Sequence, residues 1–273
     1  MKLKKKILII TANELRHIFF RRKISNNKNF EVCLCLSEDN SKRQSTKFFR
    51  FKKKNKIKSH FLLRQIYEKK YFKSYIKKTK EIKNLKIIKR GQFNKDKKLI
   101  NEILNLKPDY LLSYGCSIIK DPILKHFKNK SLNIHLGLSP YYLGSGTNFW
   151  PFVNDELQFV GVTFMKLNAG IDDGPIIHQI RPNFKHHDNV HTVGNRLIKE
   201  TTVVVNKILK NYEKLEVCSF KKNKKNKIFF KADIKEDDIE KLLYNQNNMI
   251  IKKYLKDRNR LIKKFPIYRN KLL

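Results

Sequence analysis

Short apolar runs alternate with helically spaced stretches along most of the chain. Residues 7–10 (Ile-Leu-Ile-Ile) have the length of a buried strand. Asn13-Glu14-Leu15-Arg16 then opens a predicted helix through Phe20, with Asn13 as its cap. Residues 30–36, which include Cys33 and Cys35, predict a second strand. Phe61, Leu62, Ile66, Tyr67, Phe72 and Ile76 keep roughly helical spacing and predict an amphipathic helix. Strand-like runs follow at 85–88, 110–113 and 132–135. Between them lie helical patterns over 99–106, stopping before Pro108, and over 122–127. Two further strand-like runs, 160–165 and 175–180, precede a helix over about 190–209. Beyond Asn211 the pattern changes. Residues 221–227 are a charge run, read as a solvated loop, and 237–244 and 249–261 look helical.

This alternation predicts an α/β fold, Rossmann-like, with a mostly parallel sheet flanked by helices. A boundary near Asn211 divides it into a main domain, 1–210, and a basic, mainly helical C-terminal extension, 211–273. The first strand runs into Thr11-Ala12-Asn13-Glu14, with no glycine-rich turn. Dinucleotide and nucleoside-triphosphate sites need glycines there so that the backbone can approach phosphate, which argues against both.

A chain of 273 residues with 40% hydrophobic content can build one sizeable core, or one core plus a small appendage. Lys and Arg number 62 against 24 Asp and Glu, for a net charge of +38. That charge admits a nucleic-acid or other anionic partner. It also fits plain compositional bias, since the chain is rich in Lys, Asn, Ile, Phe and Tyr and holds only three alanines. Codon bias leaves the scarcity of Glu unexplained. Between residues 41 and 90 stand 20 Lys and Arg against only Glu68 and Glu81, a segment suited to RNA or a membrane surface. Cys33, Cys35, Cys116 and Cys218 make no disulfide or metal pattern, and a reducing compartment fits. The run 7–10 is too short for a signal peptide, and no run is long enough to span a membrane. A soluble, cytoplasmic protein is expected.

Asn133 and His135 stand two apart near the end of a predicted strand, so their side chains leave the same face. Open parallel sheets place ligands at that carboxyl end. Asp172 lies in Ile171-Asp172-Asp173-Gly174-Pro175. Singly, each has an ordinary reading: a satisfied core histidine, a structural asparagine, a turn-forming acid. Together, an amide, an imidazole and a carboxylate can polarise a carbonyl, hold an oxyanion and take a proton from an amine.

The chain resembles the folate-dependent formyltransferases, a family that includes glycinamide ribonucleotide, methionyl-tRNA and amino-sugar formyltransferases. The resemblance rests on Ser113-Tyr114-Gly115, Leu132-Asn133-Ile134-His135, Pro140, Gly144, Gly161-Val162-Thr163-Phe164 and the Asp172 segment. It spans roughly residues 4–209 and is strongest over 110–179. It implies the formyltransferase fold and a catalytic Asn133, His135 and Asp172. The implied donor is 10-formyltetrahydrofolate, with no metal. The donor's pterin ring would be held largely by backbone of Tyr114, Gly115, Cys116, Ser117 and Ile118 and of Ala169, Gly170, Ile171 and Asp173. The acceptor would meet Gly144, Ser145, Gly146 and Thr147. Two departures fall on the acceptor side. Ser139 replaces a usual leucine, and the stretch from Gly144 to Asp172 is about one residue longer than usual.

On this reading Asn133 and His135 donate to the formyl oxygen while Asp172 orients His135 and receives the amine proton. The expected acceptor is a small-molecule amine, first a nucleotide-linked amino sugar. Glycinamide ribonucleotide is second and methionyl-tRNA third. A formyltetrahydrofolate deformylase shares the motif but usually carries a domain ahead of the first strand, for which the start at about Ile7 leaves no room. An inactive folate-binding module is the remaining alternative.

Overall fold

The first apolar run becomes β1 (Lys5–Ala12), an inner strand of a seven-stranded sheet. The computed structural model describes residues 4–39, 55–219 and 228–273, so the charge run at 221–227 and part of the basic segment 41–90 lie outside the described residues. The other strands of this sheet are β2 (Phe30–Asp39), β3 (Leu85–Lys89), β4 (Tyr110–Tyr114), β5 (Ser131–His135), β7 (Val162–Met165) and β8 (Ile176–Ile180). Their spatial order is β3-β2-β1-β4-β5-β7-β8. The first five are parallel, whereas β7 runs antiparallel to β5 and β8 antiparallel to β7. The mostly parallel sheet is therefore as expected. A second, two-stranded sheet pairs β6 (Leu143–Gly144) with β9 (Ile228–Phe229).

Helices cover both faces of the large sheet. They are α1 (Leu15–Ser25), α2 (Lys56–Lys78), α3 (Lys97–Asn105), α4 (Ile123–His126), α5 (Trp150–Val153), α6 (Val190–Asn211), α7 (Glu236–Asn247) and α8 (Ile250–Lys264). The alternation of β1 divides its side chains between the faces. Ile7 and Ile9 join the core with Phe20 and Ile24 of α1 and Leu197 and Val205 of α6. Leu8 and Ile10 join the opposite core with Leu99 and Ile103 of α3 and Ile123 of α4. Phe229, Ile239, Leu242, Ile250 and Tyr254, all beyond residue 211, are buried in the same core as Ile7.

Two local expectations are corrected. Asn13 does not cap α1. Glu14 occupies the cap position without a side-chain cap bond, and Asn13 Oδ1 accepts from Arg21 Nη1 at 3.0 Å. Arg21 is 2% exposed and also donates to Ser37 Oγ and to both oxygens of Glu81, a demand for acceptors that the sequence pattern does not reveal. The second correction concerns the face of α2. Leu62 and Ile66 are half exposed, while His60, Glu68 and Phe72 are buried. The helix turns Glu68 inward because Arg16 of α1 donates to it at 2.9 Å and Arg64 at 3.0 Å. A paired carboxylate can be buried where a lone one cannot.

Candidate active site

β4 and β5 are parallel neighbours, and Ser113 pairs with Asn133 in their register. The Ser113 hydroxyl donates to Asn133 Oδ1 at 2.9 Å. The Asn133 amide nitrogen donates to Asp172 Oδ1 at 3.0 Å, and His135 Nδ1 lies 3.1 Å from Asp172 Oδ2. Thus the three residues of the predicted set meet around one carboxylate. Asp172 stands at φ +50°, in the left-handed region that a non-glycine residue enters at some cost. Two bonds hold it there. Gly144 N donates to Asp172 Oδ2 at 3.1 Å, and Ser139 Oγ donates to the Asp172 carbonyl at 2.9 Å.

The electrostatics follow from these partners. Burial works against a charged His135, but the Asp172 charge, its hydrogen bond and the Tyr142 carbonyl outweigh burial and raise the His135 pKa above its ordinary value. Burial likewise works against ionised Asp172. The His135 charge, with hydrogen bonds from His135, Gly144 N and Asn133, holds its pKa below the usual carboxylate value. His135 Nε2 lies 2.7 Å from the Tyr142 carbonyl. Both ring nitrogens therefore face acceptors, which is the arrangement of a doubly protonated imidazolium. His135 was expected to donate to substrate; here its Nε2 is turned to Tyr142. Asn133 keeps a second amide hydrogen beyond the one given to Asp172.

The expected donor loops flank this set. Tyr114 ends β4 and is buried against His17 and Phe20. Gly115 has φ +66°, and a Cβ there would come within 2.5 Å of His17 Nε2. Cys116 is close enough that the charges of Glu38 and Asp172, after burial, help raise its thiol pKa. Ser117 donates to Glu38 through N and Oγ, and Ile118 is 53% exposed. Ala169 is exposed and Gly170, Ile171 and Asp173 half-buried in the segment leading into and out of Asp172.

On the acceptor side, the structure separates the four predicted residues. Gly144 touches Asp172 directly. Ser145 N donates to the Phe229 carbonyl at 2.7 Å, and Lys231 N donates to Ser145 Oγ at 2.7 Å. Gly146 lies against Trp150, and the Thr147 hydroxyl donates to the Leu136 carbonyl beneath the loop. Aromatic packing fixes the same loop, with Phe229 against Tyr142 at 5.0 Å and Trp150 at 5.1 Å between ring centroids. Lys231 Nζ sits 4.2 Å from the Phe61 ring. Desolvation, then the charges of Arg64 and Arg16, push the Lys231 pKa down, so these cations share one neighbourhood. His60 and His191 adjoin it, their rings 5.0 Å apart. Burial, then His191, Arg64 and Lys231, lowers His60 to about 3, and burial, then Arg64, lowers His191 to about 4.

Sequence reasoning passed over several residues around the set. Ser113 belonged to the motif but received no role. Ser139 entered only as a departure from the usual pattern. Gly137 carries no motif signal, yet a Cβ there would lie 2.5 Å from His135 Nε2 and 2.6 Å from Thr147 Cβ. The Lys231 and Phe229 contacts carried no sequence signal, since they depend on the chain returning from 80 or more residues away. Among the described residues, no three His, Cys, Asp or Glu side chains group to hold a metal ion. No helix of the described residues is long and apolar enough to cross a membrane.

A family model described as formyl transferase matches residues 17–209. A methionyl-tRNA formyltransferase of Alkaliphilus oremlandii (strain OhILAs) is 28% identical over 164 residues, 59% of this chain and 52% of that protein. The chain thus spans about half the length of that curated relative. A sugar N-formyltransferase structure from a Shewanella species aligns with a TM-score of 0.55 at 17% identity, covering 88% of each chain. A phosphoribosylglycinamide formyltransferase structure from Anaplasma phagocytophilum aligns with a TM-score of 0.54 at 16% identity, covering 84% of this chain and 100% of that one. At such identities the structural likeness establishes a shared fold.

Proposed function

The chain belongs to the formyl transferase family, and we propose that it transfers a formyl group from 10-formyltetrahydrofolate to the primary amine of a small nucleotide-linked amino sugar. On this reading it is a folate-dependent formyltransferase enzyme, which the family match supports. The observation that carries the reaction is the meeting of Asn133, His135 and Asp172 around one carboxylate.

The donor supplies an amide-like carbonyl activated by attachment to an aryl nitrogen. As the amine lone pair forms the new C–N bond, negative charge builds on the formyl oxygen. The second Asn133 amide hydrogen is the donor suited to that charge, and the positive His135 ring stabilises it electrostatically. The carbonyl electron pair returns as the bond to the donor nitrogen breaks. The amine loses one proton and the donor nitrogen gains one. Asp172, ionised and hydrogen-bonded to both partners, takes the amine proton through a water and returns it.

Two observations support a phosphate-bearing small acceptor. β9 pairs with the acceptor loop at Gly144, which brings Lys231 beside Ser145. Arg16 and Arg64 lie in the same neighbourhood, where their charges act on Lys231. Glycinamide ribonucleotide also bears a phosphate and is the second reading. Methionyl-tRNA is third.

An acceptor screen tests the proposal. The protein is incubated with 10-formyltetrahydrofolate and each candidate amine, and tetrahydrofolate release is followed. Turnover with a nucleotide-linked amino sugar is expected. Turnover only with glycinamide ribonucleotide or methionyl-tRNA moves the acceptor assignment. Formate release without any amine identifies a deformylase, and folate binding with no turnover identifies a binding module.

A further inference from the structure

Glu38 is 1% exposed at the carboxyl end of β2, outside the Asn133–His135–Asp172 set. A carboxylate so deeply buried is costly unless its oxygens are satisfied. Its hydrogen-bond partners among the described residues are two backbone N–H groups and one hydroxyl. Oε1 accepts from Gly91 N at 2.6 Å, and Oε2 accepts from Ser117 N at 2.8 Å and Ser117 Oγ at 3.1 Å. Gly91 begins the turn after β3, at φ +72°. Ser117 stands in the loop after β4. One buried side chain therefore ties two loops at the carboxyl edge of the sheet.

Asn94, in the turn after Gly91, grips the same loop further along. Its Nδ2 donates to the Ile118 carbonyl at 2.8 Å, and its Oδ1 accepts from Lys120 N at 2.9 Å. Ser117 N, Ile118 O and Lys120 N are thus held by side chains from elsewhere in the fold. At the upstream end, Gly115 is packed against His17. The Ile118 side chain is left 53% exposed, an apolar surface on a loop whose backbone is fixed.

We propose that Glu38 and Asn94 are positioning residues for the donor loop. They set the backbone of residues 115–118 in the conformation that receives the folate heterocycle, with the Ile118 side chain as its apolar contact. The inference rests on the folate-binding part of the proposed function. Backbone recognition of a flat heterocycle demands this kind of support, because a loop that must order on binding weakens affinity. Hydrogen bonds donated by loop N–H groups to a buried carboxylate are well suited to it.

The test uses Glu38→Gln and Asn94→Ala in the full chain. Affinity for 5-formyltetrahydrofolate, a non-transferring analogue, is measured by calorimetry, and KM is measured separately for donor and acceptor. Glu38→Gln turns an N–H donor toward one of the backbone N–H groups and is expected to weaken analogue binding about tenfold or more. Asn94→Ala is expected to act in the same direction by a smaller factor. Acceptor KM is expected to stay within about twofold in both, a split that a merely structural role does not produce. Asn94 is near the surface, so its variant carries the test if Glu38→Gln fails to fold. Unchanged analogue affinity in folded variants, or equal loss for donor and acceptor, overturns the inference. A wild-type protein that binds the analogue but formylates no amine, with binding weakened in the variants, overturns the reaction and leaves the positioning role standing.

Discussion

At the scale of single residues, the orientation of the Asn133 amide is the critical detail. Asp172 is ionised and accepts only, so it takes the amide nitrogen, and Oδ1 must face Ser113. Removing the hydroxyl leaves Oδ1 without its donor and lets the amide tilt. Ser113→Ala is expected to lower kcat about tenfold, the scale of one hydrogen bond, with KM for both substrates little changed. A loss confined to KM contradicts that role. The His135–Asp172 pair makes a second prediction. The folded His135 pKa lies above its ordinary 6.5, so its contribution is full below 6.5 and is lost as pH rises through the folded value. The folded Asp172 pKa lies below its ordinary 3.8, so its contribution is present above 3.8 and is lost as pH falls through the folded value. Wild type should therefore exceed Asp172→Asn in stability most clearly between these limits, with the gap narrowing on either side; urea melts across pH measure it. The same variant should lose roughly 10²- to 10³-fold in formyl transfer, comparable to deletion of a preorganised donor. These residues were legible in sequence because a period of two puts Asn133 and His135 on one face. The Tyr142 carbonyl and Gly137 were not, since a backbone acceptor has no side-chain signature and close approach is a tertiary fact.

At the scale of elements, the pairing of β6 with β9 joins residues beyond 211 to the candidate site. Gly144 makes the junction possible. Its φ is +91°, and a Cβ there would lie 2.1 Å from the Phe229 carbonyl oxygen, a backbone atom that cannot swing aside. Gly144→Ala should thus break the two-residue sheet and disturb the N–H that holds Asp172. A destabilisation of about 1–3 kcal/mol is expected from the backbone conformation alone. Urea unfolding measures it, and a stability equal to wild type would contradict the pairing. A pair this short has no periodicity, so the sequence could not announce it. The larger elements were readable because each buries a run or stripe long enough to show its period, as β1 does with Ile7 to Ile10. β2 runs three residues past its predicted end because Ser37 and Glu38, polar and therefore turn-like in sequence, are buried through hydrogen bonds. The buried face of α2 departs from its hydrophobic spacing for a related reason. Helical spacing counts Leu62 and Ile66 as core, but ion pairs to Arg16 and Arg64 turn Glu68 inward.

At the scale of the whole molecule, the net charge of +38 acts on everything above it. Two electrostatic effects oppose each other as salt is added. Exposed pairs such as Lys86–Glu102 and Lys5–Asp109 are weakened by screening, but each contributes only about 0–1 kcal/mol. The more buried pairs, Arg21–Glu81 and Arg196–Asp188, are screened much less. Against this stands repulsion among the excess lysines and arginines, which favours the expanded chain. That repulsion is long-ranged at low salt, where the Debye length is about 30 Å at 0.01 M, and short-ranged near 0.15 M, where it is about 8 Å. With cations outnumbering acids by 62 to 24, most positive charges have no acid to lose, so the repulsive effect dominates. The midpoint of thermal unfolding should rise as sodium chloride goes from about 0.01 to about 0.15 M. A midpoint that falls over that range would mean that the ion pairs, and not the excess charge, govern the stability of this fold. Potassium chloride at matched ionic strength separates screening, which it reproduces, from any effect specific to sodium.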